Sequence, residues 1–571
     1  MTGNGRNLNL LFGALAALLF LLFSVSLFKH ISYPLLWNDE GDTAMFANRV
    51  VEYGYPKVHD GKNVLYVHFI DMQLGVNEHD MFTADPLLCY YWAAPGAWLA
   101  KGTEDIYMKT LLMRAPFAAT GLLGMIILAL AGALLFEKGR PRRLLFYALF
   151  FLFGVLSVSL ALHLREARYY SPVMLLSACI LYVFIKHRLL GRLGFKTYAA
   201  VSVSMLFFMF NAFYPTYAAF MGAVGLYEFI ELIKRMRASK GPGRAFALPG
   251  MKDLKPFVPL LASVLTIIPL VLYFRFMEVA RAASAIYKFR PEIYIDHVAT
   301  VIGYFARFEF LFLALFIKAA LAFLMVRGRL SGTAPIESVA EKVRVSNFLS
   351  LFFAVHVLVT AINPLTMFTR YFVVLIPVLA LILLLDAFSV FEILGSSSQE
   401  SVNKRRQRAF VLAAAAIFIV NGLVANKTED LKGRFYELTN QYKGPLDFIV
   451  PYVKENYPKT EELVIAANYE EASLMYYLGS KVVVGYTGNN IWEDLKETPD
   501  LIIDRRFWFS ARDAYAYQTF TQKANYEAVT LPVKDYAVNN IPELNYKLIP
   551  HLYSTPLTDN DEKRMRIYVK K

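Results

Sequence analysis

Three carboxylates fall within four residues in the stretch Trp37-Asn38-Asp39-Glu40-Gly41-Asp42, directly after the first long apolar run. On a helix, Asp39 and Asp42 stand at i,i+3 spacing and share a face. Such a cluster accepts a proton from a hydroxyl nucleophile, or holds a divalent cation such as Mg, Mn or Ca beside a phosphate. Plain helix capping, with acids at the positive end of the helix dipole, is the competing explanation. A second set of groups is cationic and sits at the ends of later apolar runs. His163-Leu164-Arg165-Glu166-Ala167-Arg168 joins two runs, Arg370-Tyr371 opens another, and Arg307 and Glu309 lie near the start of a third. A charge beside hydrocarbon is costly unless paired, so each is a candidate site residue, and the arginine fork suits phosphate. Snorkelling to headgroups or local pairing, Arg165 with Glu166 and Arg307 with Glu309, explains them equally well.

His59, His68 and His79, with Asp71, Glu78 and Asp80, make a further polar cluster. Its spacing matches no zinc pattern, and it reads as solvated loop. Asp386 and Lys318 are single charges inside apolar runs, and nothing in the sequence names their partners.

The elements that position these groups are membrane spans. Only 18% of residues are charged, against about 25% in soluble domains, and the mean hydropathy is +0.41. Runs long enough to span cover 8–29, 110–136, 144–163, 169–187, 197–214, 215–233, 256–277, 302–326, 347–363, 370–391 and 409–425. One kinked helix would also account for the pair around Pro215. The first run is too long for the apolar core of a signal peptide and no small-residue cleavage site follows it, so it reads as a retained span. The loops 137–143, 186–196, 234–255 and 404–408 are dense in Lys and Arg and fall on one side if the spans alternate. The positive-inside rule then makes the N-terminus cytoplasmic and places residues 31–108 and the C-terminal domain outside. The net charge of +13 therefore reads as topology control, not nucleic-acid binding. Cys89 and Cys179 are not expected to form a disulfide.

The expected architecture is a polytopic α-helical domain over 1–427, with a long first loop at 31–108, and a soluble α/β domain over 428–571. In the loop, Asn38 or Asp39 caps a helix that Gly54 ends. Its stripe of Met45, Phe46, Val50 and Tyr53 suits a membrane-surface helix. Residues 85–99 read as a second interfacial helix. In the tail, 462–467, 481–486 and 500–504 read as buried strands and 469–478 and 491–497 as helices, with Asn468 capping the first. No glycine-rich phosphate loop is present.

The order of parts resembles the C-type superfamily of membrane glycosyltransferases (the GT-C fold), in particular its bacterial protein O-mannosyltransferase and lipid A aminoarabinose transferase branch. The resemblance rests on the acidic pair after the first span and the aromatic segment DPLLCYYWAAPG. Met113-Arg114-Ala115-Pro116-Phe117, the stretch REARYYSPVMLLSACILYVF and Arg370-Tyr371 complete it. It is clear over residues 8–240, weaker to 391 and generic beyond. It implies transfer of a sugar, a hexose or pentose, from a polyprenyl-phosphate donor on the extracytoplasmic face of a bacterial inner membrane, usually with inversion. The acceptor would be a glycan, lipid or protein hydroxyl. The resemblance gives Asp39 the role of general base, with Glu40 in support. Arg168, Arg370 and then Arg165 are the candidates for holding the donor phosphate, and Asp42, His163, Tyr169 and Tyr371 for supporting substrate or metal. Two departures stand out. Asp42 occupies a place where the aminoarabinose branch has an arginine, and Thr83-Ala84-Asp85 lacks the lysine found there. Both argue against that branch's donor and acceptor and leave room for a divalent ion. The absence of WWDYG disfavours transfer of a whole oligosaccharide. A secondary transporter or flippase of a lipid-linked or anionic substrate is the alternative, although the sequence lacks the repeated halves such proteins often show.

Overall fold

The computed structural model describes residues 3–65, 74–136, 139–238, 250–286, 290–330, 337–362, 367–396, 400–424, 427–485, 490–508, 510–536 and 563–571. The chain opens with α1 (Gly3–Phe28), followed by the two helices of the first long loop, α2 (Asn38–Tyr53) and α3 (Leu88–Ala100). The bundle continues with α4 (Ile106–Ala133), α5 (Arg140–Leu156), α6 (Val158–Arg165), α7 (Tyr170–Phe184), α8 (Phe195–Ala212) and α9 (Tyr214–Ala238). After the single turn α10 (Met251–Leu254) come α11 (Val258–Tyr273), α12 (Phe276–Ile286), α13 (Pro291–Phe308) and α14 (Leu311–Leu330). α15 (Glu337–Thr360), α16 (Leu375–Leu394) and α17 (Glu400–Val424) complete it. Among the described residues, ten helices are long and apolar enough to cross a membrane, and eleven if the bent pair α5–α6 counts as one span.

Two expected spans are broken, and the breaks meet. The run 144–163 bends by 79° between α5 and α6, where Ser157 is extended and its hydroxyl caps α6 at Leu160 N. The run 302–326 divides into α13 and α14 at Glu309, also extended. Ser157 Oγ donates to Glu309 Oε1 at 2.8 Å, so the polar groups at both interruptions satisfy each other. α8 and α9 are separate helices divided at extended Phe213, with Pro215 in the first turn of α9, where its missing N–H costs nothing.

The lone charges in the apolar runs also find each other: Lys318 Nζ lies 3.1 Å from Asp386 Oδ2 and 2.9 Å from Ser346 Oγ, joining α14, α15 and α16.

The tail begins with α18 (Lys427–Thr439) and α19 (Leu446–Asn456), then β1 (Val464–Ala467), α20 (Glu471–Leu478), β2 (Lys481–Val483), α21 (Ile491–Asp494) and β3 (Leu501–Asp504). α22 (Ala511–Lys523), β4 (Tyr526–Lys534) and β5 (Arg564–Lys570) close it. The sheet order is β2-β1-β3-β5-β4. β1 is parallel to β2 and β3, while β5 is antiparallel to β3 and β4. The three expected strands are present, and the last two add an antiparallel half.

The stripe of α2, expected to face a membrane surface, is covered by protein over most of its length. Met45, Phe46 and Val50 are buried in one core with α3 and with α20 of the tail domain. At Gly41 the approach is closest: a Cβ there would stand 2.2 Å from Ser473 Oγ and 2.6 Å from Ser473 N. Tyr477 Oη accepts from Leu36 N at 3.0 Å and bonds Thr110 Oγ1 at 2.6 Å. Asn63 bridges Ser480 O and Val482 N, both at 2.9 Å. The tail domain is thus seated on the start of α2, and the site lies at that seam.

Candidate active site

α2 begins at Asn38, with no side chain capping it. Asn38 Oδ1 instead accepts from Glu470 N of the tail domain at 3.2 Å. Asp39 and Glu40 occupy the first turn, where the helix dipole favours negative charge, and successive residues point in different directions. Glu40 is fully buried. Arg114 of α4 grips it through Nε at 2.8 Å and Nη2 at 2.5 Å, and Ala167 N donates to the same carboxylate at 2.8 Å. Arg114 Nη1 also donates to the carbonyls of Ile31 and Pro34. Glu40, expected to support the base, is buried with both oxygens in use.

Asp39 is partly open. Arg370 Nη2 reaches its Oδ2 at 3.1 Å and Arg168 Nη2 lies 3.6 Å from the same atom. Arg168 Nη1 also donates to Asp39 O at 3.1 Å and Thr43 Oγ1 at 3.3 Å. Residues 39, 168 and 370 thus converge on one point. Both arginines keep buried N–H groups without a partner among the described residues: Nε of Arg168, and Nε and Nη1 of Arg370. Arg370 is boxed by the rings of Phe368 at 4.3 Å and Trp37 at 5.3 Å, and Arg168 lies over Tyr169 at 5.6 Å. Burial works against both guanidinium charges, yet the neighbouring groups, Asp39 among them, outweigh it and both pKa values rise. These are fixed cations with unused donors, the arrangement that binds an oxyanion.

Asp42 is half-buried on the same helix. Burial, and then the charge of Asp39, raise its pKa well above the carboxylate range, which favours a neutral group that does not repel an anion. Tyr169 stacks on Phe213 at 4.6 Å, and Tyr371 packs against the same ring at 5.4 Å. Burial pushes the nearby Cys89 thiol up to about 11, which disfavours a thiolate nucleophile. Cys89 and Cys179 are both free, as expected.

Arg165 does not join the pair. It is turned to Glu437 of α18, with Nη1 toward Lys29 O at 3.4 Å, so its charge is met chiefly by a carboxylate far along the chain. His163 and Glu166 face each other at 3.3 Å in full burial behind the arginines. His163, expected to support substrate or metal, is fully buried here against Glu166. In the first loop, His59 pairs with Asp80 at 2.5 Å and His79 lies 3.8 Å from Glu78, both near the surface. His68 and Asp71 lie outside the described residues. Among the described residues no group of three or more His, Cys, Asp or Glu side chains gathers to hold a metal ion. With Asp39 turned to two guanidinium groups, the residues present fit an anion better than a cation.

Sequence reasoning did not assign Arg114, although an arginine inside an apolar run was the available signal. It also missed Trp37, Phe368 and the tail-domain residues Tyr469 and Glu470 beside α2, whose closeness depends on tertiary contact alone.

No family model and no curated protein matches the chain. Among solved structures it is similar to ArnT from Cupriavidus metallidurans in the apo state, at 12% identity over 97% of each chain and a TM-score of 0.51. ArnT bound to undecaprenyl phosphate is matched at 12% identity over 97% of each chain, TM-score 0.48. The archaeal oligosaccharyltransferase AglB from Archaeoglobus fulgidus, in complex with an inhibitory peptide and a dolichol-phosphate, is matched at 11% identity over 90% of this chain and 69% of that one, TM-score 0.48.

Proposed function

From the GT-C fold that the first of these likenesses shows, we propose that this chain is a membrane glycosyltransferase taking its sugar from a polyprenyl-phosphate donor. The observation that carries the reading is the convergence of Arg168 and Arg370 on Asp39 with buried N–H groups to spare. Before donor binds, Asp39 serves as the counter-charge of both arginines. The donor phosphate is a stronger, multidentate partner, and in taking the arginines it frees the carboxylate.

Asp39 then removes the proton from an acceptor hydroxyl. The acceptor oxygen bonds to the anomeric carbon as the bond from that carbon to the phosphate oxygen breaks, and the electron pair leaves with the phosphate. In-line attack inverts the anomeric configuration. Arg168 and Arg370 stabilise the charge growing on the departing phosphate and need no reorganisation to do so. Trp37 and Phe368 hold Arg370 in place, Tyr169 and Tyr371 wall the pocket through Phe213, and Asp42 adds little repulsion. The site and tail domain lie on the extracytoplasmic side by the distribution of basic loops, which fits a donor that arrives already lipid-linked.

General-base assistance is worth about 10²–10⁴-fold. Asp39→Asn, reconstituted with radiolabelled polyprenyl-phosphate sugar, is expected to lose turnover by that factor. Transfer at near the wild-type rate overturns the assignment.

A further inference from the structure

The parallel half of the tail sheet has a switch point. β1 lies between β2 and β3, so the chain leaves β1 through α20 to one side and returns through α21 to the other. In such sheets the crevice at the carboxyl ends of the diverging strands is the ligand position. Here Asn468 and Arg505 close its floor, Arg505 N donating to Asn468 Oδ1 at 2.9 Å and Asn468 Nδ2 to Arg505 O at 3.0 Å. Above them stand three rings. Tyr469 is 5.0 Å from Phe507 and 5.7 Å from Trp508, and exposure falls from 39% at Trp508 to 6% at Tyr469.

This aromatic track ends at the proposed active site. The residue after Tyr469, Glu470, donates its backbone N–H to Asn38, next to Asp39, and Tyr469 feels the charges of Asp39 and Arg370. Glu470 is fully buried and bound through Oε2 to Arg505, but its Oε1 has no partner among the described residues. Rings that offer an apolar face and a buried carboxylate oxygen that lacks a hydroxyl donor are together the chemistry that recognises a saccharide. A peptide would call for backbone partners, and an acyl chain would leave the carboxylate unsatisfied.

We propose that the acceptor is a saccharide, held with one ring face against Trp508 and Phe507 and a hydroxyl donating to Glu470, so that another hydroxyl passes Tyr469 to Asp39. This rests on the transferase reading, and the bonds made and broken are those given there.

The test uses full-length protein in nanodiscs with labelled polyprenyl-phosphate sugars (hexose, N-acetylhexosamine and pentose). Methyl α-glycosides of glucose, mannose and galactose, a Ser/Thr peptide and a hydroxylated lipid serve as acceptors. Label is expected to pass to a glycoside. Trp508→Ala is expected to raise the glycoside KM about tenfold, the scale of one aromatic contact, while affinity for undecaprenyl phosphate stays unchanged, and Trp508→Phe should restore most of the loss. Labelling of the peptide or the lipid alone overturns the proposal, as does a glycoside KM that Trp508→Ala leaves unmoved. A wild-type protein that consumes no donor contradicts the transferase reading instead.

Discussion

Asp39 and Glu40 are adjacent in the chain and opposite in environment. Glu40 has no exposed surface and meets Arg114 and Ala167 N, whereas Asp39 keeps an open face and meets two arginines that have donors to spare. Removing one partner of a buried ion pair leaves an uncompensated charge and costs about 3–5 kcal/mol. Glu40→Gln is therefore expected to lower the thermal midpoint of the whole protein sharply, while Asp39→Asn, whose carboxylate keeps some exposed surface, lowers it less and removes turnover. Melting both variants in the same nanodiscs checks this, and the reverse ranking would exchange the two roles. The sequence made Asp39, Arg168 and Arg370 legible because charges that border apolar runs stand out against hydrocarbon. It misled over Arg165, whose partner Glu437 is 272 residues away, and local pattern proposes only neighbours such as Glu166.

At the scale of elements, periodicity showed that one side of α2 is buried but not what buries it. The stripe of Met45, Phe46 and Val50 suits a membrane surface and a protein core equally well, and the tail domain supplies the core. The breaks at Ser157 and Glu309 were not read because the runs that contain them stay apolar enough to span. Arg307 and Glu309 stood out as charges near the start of one run, but their place at an interruption shows only in the hydrogen bond between Ser157 and Glu309. The first three strands of the tail were legible from their short apolar runs. One contact of α19 makes a prediction about pH. Asp447 accepts from Gly444 N at 2.8 Å and from Leu35 N, just before α2, at 3.3 Å, and burial pushes its carboxyl up to about 7. An unfolded aspartate titrates near 4, so between those values the folded protein holds a proton that the unfolded chain releases. Stability therefore falls as pH rises from about 4 to about 7, and the loss persists above. The thermal midpoint is expected to drop over that interval, and Asp447→Asn to flatten that part of the curve. An unchanged slope in the variant would show that Asp447 is not the titrating group.

For the molecule as a whole, the division into a span-rich body and an α/β tail was readable from composition, but their union was not. The residues that join them, Asn38 with Glu470, Gly41 with Ser473 and Asn63 with Val482, are more than 400 positions apart in each pair, and no local signal relates them. That union completes the proposed site, since α2 supplies the carboxylate, the bundle supplies the arginines and the tail supplies the crevice above. The account turns on Asp39 acting as a counter-ion that donor phosphate displaces. Binding of undecaprenyl phosphate, which carries no sugar, to the nanodisc-embedded protein tests this without any chemistry. Arg370→Ala is expected to weaken binding about tenfold or more, the worth of a charge-assisted contact, while Asp39→Asn binds at least as tightly as wild type because the competitor for the arginines is gone. Weaker binding by Asp39→Asn, or undiminished binding by Arg370→Ala, would contradict it.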